Sequence, residues 1–107
     1  MSNLTKLLII SMVASSPILA QNPDKGKQVF QESSCSACHH TEDYEKVKGE
    51  FPSLKGLYKR KALFNGKPTT DSNVLEIINN GARGMPAYKD MIEDVQKADL
   101  ITYLKTL

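Results

Sequence analysis

The run Cys35-Ser36-Ala37-Cys38-His39 constrains this chain more than any other feature. It holds both cysteines of the sequence and the first of its two histidines. Two thiols three positions apart on a turn can reach neighbouring edges of one flat macrocycle. The residue that follows then projects beneath the ring, where an imidazole nitrogen can bind a central metal. Cys-x-x-Cys-His is accordingly the signature of covalent haem attachment. Two other readings compete for the same residues. A plain disulfide or thioredoxin-like redox pair expects a βαβ context, and no strand pattern of any length is present. Zinc would require Cys35, Cys38, His39 and His40 to converge. Adjacent histidines diverge, however, and no second ligand pair follows at finger spacing.

At 107 residues the chain has room for one domain. Residues 1–20 read as a separate device. Lys6 supplies a positive start, residues 7–14 are apolar, and Pro17 precedes Ile18-Leu19-Ala20. This is the outline of a secretory signal peptide cleaved after Ala20, leaving a domain over residues 21–107. The competing reading, an uncleaved anchor, fits less well because a membrane span needs ~20 apolar residues. No other window approaches that length, so the mature chain is expected to have no transmembrane span and to be periplasmic or otherwise exported. A domain this small buries only a modest core and usually needs a disulfide, metal or cofactor.

The formal net charge of +2 falls by one with the loss of Lys6. That balance, with no Trp and no aromatic-interleaved basic stripe, excludes a nucleic-acid footprint. The single basic run, Lys59-Arg60-Lys61, reads as a solvated face.

The remaining pattern is all-α. Asn22-Pro23-Asp24 opens a helix of about ten residues, with Asn as N-cap, Pro at the first position and Asp at the positive end. Gly26 is costly inside that helix, by about 1 kcal/mol against Ala, unless another helix crosses there. Residues 41–53 read as a loop, and Ser53 is expected to cap a short helix over residues 54–61. Asn65-Gly66-Lys67-Pro68 is a turn. Thr70 or Asp71 starts a helix carrying Val74, Ile77 and Ile78, ended by Asn80-Gly81. Gly84-Met85-Pro86 is expected to be extended. Asp94 is expected to cap the last helix, whose apolar stripe is Leu100, Tyr103, Leu104 and Leu107.

A haem iron has two axial positions, and Met85 is the candidate for the second. Its thioether is a soft donor, and His/Met ligation raises the reduction potential. A methionine is otherwise a core gap-filler, but Met85 stands between Gly84 and Pro86, and Pro86 stiffens the backbone that would aim the sulfur. Met91 lacks such a bracket.

With these residues in place, the chain resembles the class I c-type cytochromes over nearly all of residues 22–107. Four patches carry the likeness, in the family's order. They are Gly26-x-x-x-Phe30, Cys35-x-x-Cys38-His39, Pro52-x-Leu54-x-Gly56 with Arg60, and Gly84-Met85-Pro86-Ala87-Tyr88 followed by Leu100-Ile101-Thr102-Tyr103-Leu104. The resemblance implies a small helical fold wrapped around one haem c, with two thioethers and an iron bound by His39 and Met85. It further implies that Gly26 and Phe30 cross Leu100 and Tyr103. The Pro52 carbonyl would accept the second imidazole N–H of His39, Leu54 would pack on the haem, and Arg60 would sit near a propionate. Phe51 departs from the pattern, where the family usually has Gly. His40 and the carboxylates of Glu42, Asp43 and Glu45 read as surface.

Iron ligated on both faces has no open position for substrate, which points to a non-enzymatic one-electron carrier between redox partner proteins (an oxidase, reductase or dehydrogenase). Two alternatives stay open: an electron-accepting subunit of an exported dehydrogenase, and a haem sensor or enzyme in which Met85 is displaced.

Overall fold

The computed structural model describes residues 21–43, 51 and 53–107. The expected signal peptide, most of the polar loop after residue 43, and Pro52 lie outside the described residues.

Helix α1 (Pro23–Glu32) begins as its sequence dictates. Asn22 Oδ1 accepts from the backbone N–H groups of Asp24 (2.9 Å) and Lys25 (3.3 Å), satisfying two donors that a helix leaves unpaired. Val29 and Phe30 are buried on its inner face. The helix ends at Ser33, and Ser34 then adopts a left-handed conformation, φ 64°. The chain thereby turns directly into a 3-10 turn over Cys35–Ala37.

Helix α2 (Asp71–Asn80) is capped by Thr70, whose Oγ1 accepts from the Asn73 N–H at 3.1 Å. It buries Val74 and Ile78 and stops at Gly81, φ 73°.

Helix α3 (Asp94–Leu104) starts one residue earlier than the sequence suggested. Glu93 is the N-cap, and its N–H donates to Gln96 Oε1 at 3.0 Å, as in a capping box; Asp94 is the first helical residue. Leu100, Ile101 and Leu104 are buried, while Tyr103 and Leu107 pack at the edge of the core.

The crossing of α1 over α3 accounts for Gly26. A Cβ on Gly26 would lie 2.0 Å from the Asp99 carbonyl oxygen and 2.7 Å from Tyr103 Cβ, so backbone meets backbone there. Phe30 and Tyr103 stack nearby, ring centroids 5.5 Å apart and tilted 59°. The glycine itself meets Asp99 and Tyr103, where the family pattern implied Leu100 and Tyr103. Buried Asp99 adds a second tie, accepting the Asn22 N–H at 2.9 Å.

Residues 54–61 form less helix than expected, only a 3-10 turn over Leu57–Lys59. Gly56 is left-handed, φ 67°, a conformation that stops a helix, and its N–H bonds the Leu107 carbonyl at 2.9 Å. Ser53 makes a turn in place of a cap: its Oγ accepts from the Lys55 N–H at 3.1 Å and donates to the Glu42 carbonyl. Among the described residues the fold is all-α, with β-type pairing limited to the isolated bridges Ala62–Pro68 and Ala82–Met85. No described helix is long and apolar enough to cross a membrane.

Candidate functional site

The packed crossing of α1 and α3 is one wall of a cavity of about 630 Å³. Cys35, Cys38, His39, Leu54, Arg60 and Met85 all line it, so six of the seven residues singled out in the sequence converge on one space. Phe30, Ile78 and Leu100 supply apolar wall, and among the described residues no Asp, Glu or Lys contributes.

The attachment turn closes on a single carbonyl. Cys35 O accepts from the N–H groups of Cys38 (3.2 Å) and His39 (2.9 Å), which sets both thiols and the imidazole on one short arc. Leu54 is delivered to the same space by its N–H bond to His40 O, 2.8 Å. Cys35 and Cys38 are not joined by a disulfide. Burial pushes the Cys35 thiol above its ordinary range, partly offset by a backbone hydrogen bond. A redox-active cysteine needs the opposite, a stabilised thiolate. Among the described residues no group of three or more His, Cys, Asp or Glu stands close enough to hold a metal ion. A zinc site built from this turn is therefore not formed.

Met85 is held more tightly than an extended loop would hold it. Ala82 and Met85 exchange two backbone hydrogen bonds, 2.9 and 3.1 Å, around a turn tipped by Arg83-Gly84. Gly84 has φ 80°, as the third position of a type II turn requires. Close approach constrains the other end, since a Cβ on Gly81 would lie 2.5 Å from Met85 O. Downstream, the N–H of buried Tyr88 bonds Ile78 O (2.9 Å) and its hydroxyl donates to Ser33 O (2.9 Å). Burial raises the Tyr88 hydroxyl's pKa, keeping it a donor. Met91, by contrast, is 70% exposed and does not line the cavity.

Arg60 serves the backbone: its Nη2 donates to Ser53 O (2.6 Å) and Lys55 O (3.2 Å), clamping the segment that carries Leu54. Several lining residues had no role in the sequence reading. Phe51 and Phe64 sit at the cavity edge, 39% and 77% exposed, and no periodicity marks them. Arg83 and Tyr88 also line it, and the only hint was that Tyr88 shares a patch with Met85.

A small helical chain folded around an apolar cavity, with two thiols, an imidazole and a thioether on its walls, defines a protein built around a flat apolar cofactor. Residues 21–104 match the family described as cytochrome C oxidase, cbb3-type, subunit III. Cytochrome c6 of Diacronema lutheri is 32% identical over 82 residues, 74% of this chain and 88% of that protein. Cytochrome c6 of Leptolyngbya boryana is 32% identical over 79 residues, 74% and 85% of the two chains. Cytochrome c oxidase subunit 2 of Alkalihalophilus pseudofirmus is 32% identical over 89 residues, 78% of this chain but 25% of that protein.

The chain belongs to the cytochrome c family, as a small monohaem class I c-type cytochrome, a haem protein of electron transport. Its cavity fits that cofactor: the size is within the ~300–1,000 Å³ of ligand sites, the walls are apolar, and the donors are suited to iron and to thioether formation.

Proposed function

We propose that this chain is an exported one-electron carrier in which Cys35 and Cys38 would hold haem c through two thioethers and His39 and Met85 would bind its iron. The observation that carries the reading is convergence. Met85, on a turn braced at both ends, lines the same apolar cavity as the Cys35–His39 arc. When bound, the haem supplies a one-electron iron couple. The protein's part is positioning and exclusion of water. The arc around Cys35 O sets the attachment residues, Pro52 would orient the His39 imidazole, and Leu54, Ile78 and Leu100 keep the site dry. Because both axial ligands come from fixed segments, little would rearrange between oxidation states. Docking to an oxidase, reductase or dehydrogenase would be weak and salt-sensitive, as turnover of a carrier demands.

The test is the sixth ligand. Oxidised protein should show the weak long-wavelength sulfur-to-iron band, absent in Met85→Ala and retained in Met91→Ala. The reduced wild type should bind carbon monoxide poorly and the Met85→Ala variant readily. Ready binding by wild type would instead support the sensor or enzyme reading.

A second reading is favoured by the match to part of a larger oxidase subunit and to a family described by an oxidase subunit. In it the chain works within a stable redox assembly. Stoichiometric co-purification with a partner, and electron-transfer rates indifferent to salt, would support that reading over the free carrier.

A further inference from the structure

Two guanidinium-bearing side chains, Arg60 and Arg83, line the otherwise apolar cavity, and among the described residues no carboxylate lines it with them. The other titratable groups on the wall are Cys35, Cys38 and His39 of the attachment turn, and Tyr88, whose hydroxyl is engaged by Ser33 O. The two arginines differ in what holds them. Arg60 is bound to the Ser53 and Lys55 carbonyls. Arg83 sits at the tip of the Ala82–Met85 turn, its backbone position set by the paired hydrogen bonds and by Gly84, and its guanidinium has no hydrogen bond or ion pair among the described residues.

Arg83 is solvent-exposed at the rim of that cavity, so an occupant that places an anion at this edge can meet the guanidinium there. Haem is such an occupant, an apolar disc with two carboxylates on one edge, and a guanidinium meets a carboxylate through paired N–H bonds. We propose that Arg83 binds a haem propionate, and so anchors the turn carrying Met85 to the cofactor's polar edge. This assignment rests on the haem reading above.

The test uses the exported holoprotein with Arg83→Gln and Arg83→Lys, whose haem spectrum first establishes that the cofactor is present. A protein lacking that spectrum would sink the haem reading itself, whereas the outcomes below bear on Arg83 alone. Because the exposed Arg83 side chain has no hydrogen-bond or ion-pair partner among the described residues, both variants should fold. Two measurements follow. The midpoint potential of Arg83→Gln should shift downward, since a cation beside the cofactor disfavours the more positive oxidised state. Arg83→Lys should recover part of the shift, and the difference should persist at high salt, because a contact pair is screened far less than a solvated charge. In nitrogen-15 spectra of the reduced protein, the Arg83 Nε–H should exchange with water more slowly than exposed arginine. A wild-type potential in Arg83→Gln, a shift that salt abolishes, or a freely exchanging Nε–H would each overturn the assignment and leave Arg83 as a solvated surface cation.

Discussion

The two sides of the cavity are built differently. On one side α1 crosses α3 with backbone against backbone at Gly26, two rings in tilted contact, and a buried carboxylate holding the start of α1. On the other, residues 53–64 and 81–88 reach across a space of about 630 Å³ and are held by isolated hydrogen bonds. The first side is packed by the chain itself. The second buries Leu57, Leu63 and Tyr88 but has no such crossing of helices, and a chain this small has little other core to substitute for it. The proposed covalent tether would suit such a fold, because the filling of this cavity would come from a group that the chain's own side chains do not replace.

The comparison can be broken most severely by removing the cofactor. In a Cys35→Ala/Cys38→Ala double variant, stable haem incorporation should be lost and the cooperative thermal transition followed by circular dichroism should disappear, because isolated helices of ten or eleven residues are marginal in water. A sharp transition in the haem-free chain would mean that the α1–α3 side stands alone.

The packed side itself is probed by Gly26→Ala. The new methyl would overlap the Asp99 carbonyl, so the helices must separate, and the holoprotein should lose at least ~3 kcal/mol in denaturant unfolding. A loss under ~1 kcal/mol would show that the crossing is loose.

Tyr88→Phe sharpens the contrast on the cavity side. It removes the donor to Ser33 O at 2.9 Å and leaves that carbonyl short of a partner, a cost of about 1–2 kcal/mol. Because this bond links the Met85 segment to the start of the attachment turn, the long-wavelength sulfur-to-iron band should weaken as well. A stability loss with an unchanged band would reduce Tyr88 to packing.

The smallest effect lies outside both regions. Lys105 Nζ meets Asp71 Oδ2 at 2.8 Å, tying the C-cap of α3 to the first turn of α2. The Lys105 hydrogen bond is the main cause holding Asp71 below its ordinary pKa, and burial opposes it. A folded-state pKa below the unfolded one means that the stabilisation is complete above the ordinary carboxylate range and is lost as pH falls through the depressed value. Both side chains are about half exposed, so solvent screening keeps the contribution under ~1 kcal/mol. Asp71→Asn should therefore lower Tm slightly at neutral pH and match wild type in strong acid.

What the sequence determined by itself is local. The first helix start, the start of the second to within one residue, its glycine stop, and the attachment turn are encoded within a few residues, because caps and turns satisfy backbone groups close by along the chain. The cost of Gly26 also announced a crossing, since a glycine retained inside a helix implies that something approaches too closely for a side chain. Met85 was legible through its Gly and Pro neighbours. Only the tertiary structure decided that residues 54–61 would not form a helix, because the Gly56 N–H bonds Leu107 at the far end of the chain. It alone turned Arg60 onto the Ser53 and Lys55 carbonyls, joined Tyr88 to Ser33, and set Arg83 on the cavity wall. These outcomes hang on partners and walls assembled in three dimensions, where no local spacing or periodicity reports which donor will meet which acceptor.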